Sequence, residues 1–528
     1  MSFWVSLEFA VRLFFRFSGL ILGVSVGMDI EGALSFAQAK DRPAAVARKS
    51  ASSTWAEGLP EDIQAALKKY AIPPQALALT VAAADAPTPA YVRWNDQQAM
   101  NPASVMKLVT TYAAVDLLGP QFTWRNQFWV DGPVHAGLLR GNLYIRGSGD
   151  PKWVMERIEA AFAAVREAGV TVVHGDIVLD DKAFDLPKTD PNSFDGEKLR
   201  PYNVAPDGLL VNFKSLILKF TPDEAAGVAR VSYEPPLAFM SVSPSVPLSK
   251  VACGDWRSAL RAHLDDPNGV RFSGSYASRC GEKTWPVAYV DPGSYGPRAI
   301  EGLWRAGGGL MTGQVRYGAT PAQAGLLLEQ ASLSLNDIVS DINKFSNNVM
   351  AQQVFLTLGR LSSEAIDHAH MGGSHAINGP VATFERSRQL LTQWWQRRFG
   401  SQPPVPVMDN GSGLSRQERI TAQGLLALLR ANLRHPNAAS LIDSLPIAGV
   451  DGTAGRMADR GILKFALGNA RIKTGTLRDV VAIAGYVQNR QNQPLIVVAI
   501  INHPNAPAAR PVLDAVLEWA ATRAGRTP

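Results

Sequence analysis

Hydrophobic and polar positions divide the chain into three textures. Near the start of the regular part, Leu77 to Ala84 (LALTVAAA) and Ala90 to Trp94 (AYVRW) are short apolar runs, separated by the turn-like Asp85-Ala86-Pro87. They predict two strands. A helix is expected next, with Asn101 as its cap and Pro102 in its first turn. Val105, Leu108, Val109, Tyr112 and Val115 share one face, and Gly119-Pro120 stops it. From about Thr123 to Thr320 the pattern becomes short alternating runs broken by Gly and Pro. Leu143 to Arg146, Thr171 to Val173, Ile177 to Leu179 and Leu216 to Phe220 are examples, and together they predict a β-rich insert. Helical spacing returns from about Pro321, over Leu335 to Leu358, Val381 to Phe399 and Ala422 to Leu433. Val480 to Val487 and Leu495 to Ile501 then predict a hairpin around the polar turn Gln488 to Pro494. A closing amphipathic helix is expected from about Ala508 to Arg523, carrying Val512, Val516 and Trp519.

Strands and an early helix, a long insert, then helices, a hairpin and a last helix describe an α/β (α+β) domain interrupted in sequence. Residues 54–122 and 321–528 are its two expected parts, and 123–320 the inserted material. No fixed-period repeat is present, which argues against a solenoid or propeller.

A length of 528 residues calls for more than one folded unit. Hydrophobic residues at 46% and charged residues at 19% fit a soluble globular protein. The net charge of +6 is modest, and no Lys/Arg run interleaved with aromatics marks a nucleic-acid surface. At the N-terminus, Arg12 and Arg16 precede an apolar run from Phe17 to Met28, and Ala37-Gln38-Ala39 offers a cleavage site. Residues 1–39 therefore read as an export signal and 40–53 as a flexible leader, giving an exported, periplasmic protein. Glu8, Asp29 and Glu31 fit a cleaved signal less well, so an uncleaved N-terminal tether stays open. Cys253 and Cys280 are the two cysteines. In an oxidising compartment they can pair and close a local loop, the alternative being two unpaired buried thiols.

The candidate chemistry begins with Ser104-Val105-Met106-Lys107. A Ser three residues before a Lys puts a hydroxyl and an amine on one helix face, where the amine can act as base if burial lowers its pKa. Alone, Ser-x-x-Lys occurs by chance about once in a chain of this size. Two further elements follow in order: Ser346-Asn347-Asn348 in a helical stretch, and Lys473-Thr474-Gly475-Thr476 before the hairpin. A second hydroxyl with an amide can relay protons and hold a substrate amide. A cation with hydroxyls can bind a carboxylate, and the Gly is expected to leave room for an extended substrate beside the strand.

The three elements resemble those of penicillin-interacting serine enzymes. Most of the chain is similar to the class C low-molecular-mass penicillin-binding proteins, a family of D-alanyl-D-alanine carboxypeptidase/endopeptidases. The resemblance takes in Pro102 to Lys107, Gly147-Ser148-Gly149-Asp150-Pro151, Asn343 to Asn348, Asp409 to Arg416, Ala448 to Thr453 and Lys473 to Leu477. It also covers the gap of roughly 240 residues between the first two elements, which in this family holds two extra domains, whereas class A β-lactamases have a much shorter one. The resemblance implies a β-lactamase/DD-peptidase-like transpeptidase domain, an antiparallel sheet flanked by helices, with a β-rich two-domain insertion. It implies Ser104 as nucleophile, Lys107 as acylation base, Ser346 and Asn348 as proton relay and amide holder, and Lys473, Thr474 and Thr476 as carboxylate site beside Gly475. Peptidoglycan peptides are the implied substrates and β-lactams the implied covalent inhibitors. No cofactor or metal is called for, and a homodimer is left open.

Asp409 to Arg416 and Asp451 look like framework near the cleft. Asp180 or Asp181 is a candidate for the amino group of the substrate's diamino acid, or else a solvated turn pair. His368, His370 and His375 lack a metal-ligand spacing, and no nucleophile elbow, Walker loop or dinucleotide fingerprint occurs. The competing readings are a β-lactamase or esterase of the same fold, and a non-catalytic peptidoglycan-binding protein.

Overall fold

Leu77–Ala83 runs antiparallel to Pro494–Asn502, in register from Leu77 opposite Ile501 to Ala83 opposite Leu495, so early and late chain meet in one sheet. The structure is a computed structural model that describes residues 58–85, 89–362, 364 and 379–524. The expected export signal and leader, and the three histidines, lie outside the described residues.

The central sheet has the order Val92–Trp94, Leu77–Ala83, Pro494–Asn502, Val480–Gln488, Ala470–Leu477. All four pairings are antiparallel. Its inner strands read as unbroken apolar runs because both faces are covered. Alternate residues enter different cores. Leu79, Val81, Val481, Ile483 and Val497 pack on the side of the closing helix, Arg510–Thr522. Ala78, Ala82, Ala482, Ala484 and Val498 pack on the other, in the core that also holds the helix Lys107–Leu118, and the helix Ala422–Leu433 lies against Leu77–Ala83 and Pro494–Asn502. Alanine at Ala78 and Ala82 leaves room for that helix to approach the sheet.

The helix Lys107–Leu118 departs from expectation. A one-sided apolar stripe was expected, yet all twelve residues are buried, because the helix passes through the middle of the domain with neighbours all round. Its α-helical part begins at Lys107, and Ser104 stands in a preceding 3₁₀ turn, Ala103–Met106. The run expected as one helix from Leu335 to Leu358 is two, Leu335–Phe345 and Asn348–Leu358.

The intervening chain forms four further sheets and carries three helices that its alternating pattern did not disclose, Met155–Glu167, the short Trp256–Ala259 and Pro292–Ala306. Their apolar faces and the sheets share one connected core, including Phe162, Phe220, Tyr276 and Trp304. One boundary moves. Gly325–Ala331, expected within returning helical chain, is a strand paired with Arg125–Val130, so a sheet of the insert takes up chain beyond residue 320. Cys253 and Cys280 form a disulfide. No helix among the described residues is long and apolar enough to cross a membrane.

Candidate active site

The serine is set by backbone geometry first. Ala103 adopts φ 48°, a left-handed conformation that costs a non-glycine residue energy and needs support. Asn101 supplies that support. Its Oδ1 accepts from Ala103 N at 2.8 Å, its Nδ2 donates to Ser415 O at 2.9 Å, and its backbone exchanges two 2.9 Å bonds with the Asn502 side chain at the end of a central strand. The edge strand Ala470–Leu477 closes in from the other side. A Cβ on Gly475 would stand 2.5 Å from Pro102 O and 3.2 Å from both Ala103 Cβ and Ser104 N. The side of Gly475 on which a Cβ would stand is therefore filled by the nucleophile turn.

Lys107 is fully buried, and its Nζ lies 3.0 Å from Ser104 Oγ and 2.6 Å from Asn348 Oδ1, with a third contact to the Ser412 carbonyl. Burial pushes its pKa well below that of an ordinary lysine. The Lys473 charge pushes the same way, and Glu418 opposes both. A neutral amine has two N–H donors and one lone pair. The Asn348 and Ser412 oxygens are acceptors only, so once the amine has lost a proton they would take both donors and leave the lone pair for the Ser104 hydroxyl.

Ser346 sits at the junction of the two helices and not inside one, with φ 58° and ψ 38°. The next residue explains the break. Asn347 caps the following helix, its side chain accepting from Met350 N at 3.0 Å, so Ser346 must take the left-handed turn that joins them. Lys473 Nζ donates to Ser346 Oγ and to Thr474 O, both at 2.9 Å. Burial lowers the Lys473 pKa from 10.5 to about 7. Thr474 Oγ1 bonds Thr453 Oγ1 at 2.7 Å, and Thr476 is exposed on the same edge strand. Side-chain bonds thus form two sets, Lys107 with Ser104 and Asn348, and Lys473 with Ser346; the Lys473 charge acts on Lys107 across them, and Gly475 packs against the serine's turn.

Three residues that the motifs did not single out take part. Asn101 was read only as a helix cap. Glu418 is fully buried, its Oε1 accepting from the backbone N–H of Asp409, Asn410 and Gly411 at 3.3, 3.2 and 2.9 Å, while its Oε2 has no hydrogen-bond partner. Burial raises its pKa to about 7 against the pull of those three bonds. It thereby clamps the loop whose next residue, Ser412, presents its carbonyl to Lys107. Tyr202 comes from the insert, its carbonyl accepting from Asn348 Nδ2 at 3.4 Å. The charged residue Glu418 gave no pattern, because a lone acid in a polar stretch reads as solvated.

In the Asp409 to Arg416 loop the backbone N–H groups of Asp409 to Gly411 bond Glu418 and the Ser412 carbonyl meets Lys107, while Asp451 pairs with Lys344 at 2.6 Å. Asp180 is buried and bonded to Arg146 Nε at 3.4 Å and Thr320 N at 2.8 Å, so it is occupied inside the insert. Asp181 pairs with Lys182 at 3.4 Å.

A serine hydroxyl 3.0 Å from a buried amine, beside an antiparallel sheet flanked by helices, has the parts of a serine acyl hydrolase. The model of the D-Ala-D-Ala carboxypeptidase 3 (S13) family matches residues 59–523, and the chain belongs to that family. It is a peptidase of the D-Ala-D-Ala carboxypeptidase type. The chain is 26% identical over 500 residues to the D-alanyl-D-alanine carboxypeptidase of Actinomadura sp. (strain R39), covering 91% of this chain and 88% of that protein. Its fold is similar to the crystal structure of penicillin binding protein 4 (dacB) from Haemophilus influenzae, with a TM-score of 0.66 and 21% identity over 87% of this chain and 98% of that one. The same Haemophilus influenzae protein complexed with a β-lactam aligns with a TM-score of 0.62, at 21% identity and the same coverage.

Proposed function

We propose that this chain hydrolyses the terminal D-Ala-D-Ala bond, and cross-links of the same chemistry, in peptidoglycan stem peptides through an acyl-enzyme on Ser104. The observation that carries the reading is the threefold environment of the buried Lys107 amine, with Ser104 Oγ at 3.0 Å and two fixed acceptors at its other positions, so that the amine in its neutral form would turn its lone pair to the Ser104 proton.

In this reading Ser104 Oγ attacks the carbonyl of the penultimate D-Ala as Lys107 takes its proton. The oxyanion is met by the backbone N–H groups of Ser104 and Thr476. The proton reaches the leaving amine through Ser346, whose hydroxyl is held by Lys473, and D-Ala or the cross-linked residue departs. Water then cleaves the ester. Lys473, Thr474 and Thr476 hold the terminal carboxylate, and Asn348 the substrate amide. The edge strand Ala470–Leu477 pairs with Val480–Gln488 on one side, and on the other the Pro446 to Ala448 backbone bonds only its Ala470 to Ile472 end; the remaining Lys473 to Leu477 edge suits an extended peptide. β-Lactams, which present a strained amide beside a carboxylate, acylate Ser104 by the same steps.

The catalytic unit in this reading comprises residues 54–122 and 321–528, apart from the strand that joins the insert. Export by residues 1–39 to the periplasm belongs to the same reading, since the substrate lies outside the cytoplasm. A class A β-lactamase uses a glutamate to activate the deacylating water. Glu418, the buried acid acting on Lys107, has Oε1 bonded to three backbone N–H groups of the Asp409 to Gly411 loop and neither oxygen hydrogen-bonded to Ser104.

The test is incubation of purified protein with a fluorescent penicillin, followed by a denaturing gel and intact mass, with Ser104→Ala alongside. Stable one-to-one labelling of the wild type alone is expected. Absence of labelling in folded wild type overturns the nucleophile, and transient labelling with rapid drug hydrolysis favours the β-lactamase.

A further inference from the structure

On the insert, away from the serine, Arg257 lies between two indoles. Its guanidinium carbon is 5.3 Å from the Trp256 ring centroid and 5.8 Å from that of Trp285, and the two rings stand 6.2 Å apart at 80°. Both indoles and the arginine are half-buried. The π faces satisfy the flat sides of the cation, but the five N–H donors lie in its plane. Among the described residues these donors have no hydrogen-bond acceptor and no ion-pair partner, and Nε is sealed from solvent. Asp255 acts on the cation electrostatically, yet its carboxylate is occupied by Ser258 N at 3.2 Å and Ser258 Oγ at 2.6 Å. A second cation, Arg200, stands near enough to repel it. A half-buried guanidinium whose terminal N–H groups bond no protein acceptor among the described residues, with a like charge beside it, is arranged for an incoming anion.

Its place in the fold connects it to the cleft. Arg200 opens the short segment that carries Tyr202, whose carbonyl meets Asn348. The same segment is tied to the strand bearing Trp285, because Ala288 N donates to Leu199 O at 2.9 Å. A polymer lying in the cleft along this wall runs from Asn348 past Tyr202 and Arg200 to the two indoles.

We propose that Arg257, framed by Trp256 and Trp285, is a carboxylate-binding subsite on the insert that holds the peptidoglycan polymer while a stem peptide occupies the cleft. The proposal rests on the peptidoglycan-peptidase reading above. Carboxylates occur on stem peptides and on those lactyl groups of the glycan that carry no stem peptide, and the guanidinium fork suits either.

The experiment compares wild type with Arg257→Gln and Arg257→Lys in the full chain. Release of D-Ala from purified sacculi is expected to fall at least fivefold in Arg257→Gln and less in Arg257→Lys, which keeps the charge but not the planar fork. Hydrolysis of a short soluble D-Ala-D-Ala peptide and penicillin labelling are expected to stay at wild-type level, which also shows that the variant is folded. The difference is expected to shrink at about 0.5 M salt, where charges in water are screened within a few ångström. Equal sacculus rates in wild type and Arg257→Gln overturn the subsite.

Co-sedimentation with sacculi in a Ser104→Ala background needs no catalysis, so it separates the two readings. Loss of binding on adding Arg257→Gln supports the subsite even where the peptidase reading fails, and unchanged binding overturns it. Sacculi stripped of stem peptides identify the source of the carboxylate. An Arg257-dependent loss on stripped glycan assigns the lactyl group, and a loss confined to intact sacculi assigns the peptide.

Discussion

Lys107 Nζ donates to Asn348 Oδ1 at 2.6 Å, although 241 residues separate the two in sequence. The contact ties the nucleophile helix to the second of the paired helices, and it orients the amine so that Ser104 meets the remaining position. In the proposed mechanism the base is held by residues from three separate stretches of chain, Ser104, Asn348 and Ser412.

Removing the base is expected to cost more than removing the residue that aims it. Lys107→Met should slow penicillin acylation by about 10²- to 10⁴-fold, the usual contribution of a general base. Asn348→Ala should slow it less and leave a measurable rate. Stopped-flow acylation checks both, and a Lys107→Met rate within a few-fold of wild type excludes the lysine as base.

The two buried lysines should give a bell-shaped pH dependence of kcat/KM. Activity rises with pH as Lys107 loses its proton and becomes a base. It falls as Lys473 loses its proton near pH 7 in the free enzyme, because the neutral amine no longer attracts a carboxylate. A bound carboxylate raises the Lys473 pKa, so the falling limb of kcat should lie at higher pH than that of kcat/KM. Coincident falling limbs would count against Lys473 as the carboxylate site.

Lys473 also links stability to pH. Its pKa of about 7 in the fold lies below the 10.5 of an exposed lysine, so between these values the unfolded chain binds more protons. Stability should therefore rise with pH across that window, and Lys473→Met should remove this part of the slope. At pH 7 the burial costs on the order of several kcal/mol, at about 1.4 kcal/mol per pKa unit, so Lys473→Met is expected to raise Tm while abolishing activity. Thermal melts of both proteins across pH 6 to 10 provide the check.

Glu418→Gln should shift the rising limb of the acylation profile to lower pH. The carboxylate raises the Lys107 pKa, so its removal lets Lys107 shed its proton sooner. The glutamine carbonyl still accepts from the Asp409 to Gly411 N–H groups, which keeps the loop in place. An unmoved limb would mean that Glu418 serves the loop alone.

Gly475→Ala tests the fit of the edge strand against the serine's turn. The added methyl would meet Pro102 O at 2.5 Å, so the strand or the turn must move. A destabilisation of about 1–3 kcal/mol is expected, the usual cost of overpacking, together with a marked loss of penicillin labelling. Wild-type labelling would show that the turn tolerates displacement.

Much of this site was legible before any fold was seen. Ser104 with Lys107, Ser346 with Asn348, and Lys473 to Thr476 carry residue types whose chemistry is recognisable locally, and their order distinguished them from chance. The strands Val480–Gln488 and Pro494–Asn502 were legible for a related reason, since burial on both faces leaves an unbroken apolar run. Other features left no local trace. Glu418 and Asn101 act through bonds to backbone groups, which every residue possesses, so no pattern of side chains announces the partner. The break at Ser346 was hidden because the apolar spacing continues through it, and only the Asn347 cap marks the boundary.

By itself the sequence determined which side chains can do chemistry, which segments alternate or run apolar, and the family those motifs resemble. Tertiary structure alone decided that Lys107 and Lys473 lose their solvent, that Gly475 gives its space to the serine's turn, and that Glu418 stands behind the base. The reason is physical. Motifs and periodicity are written in nearest neighbours along the chain, whereas desolvation, close approach and electrostatic coupling depend on what packs from elsewhere.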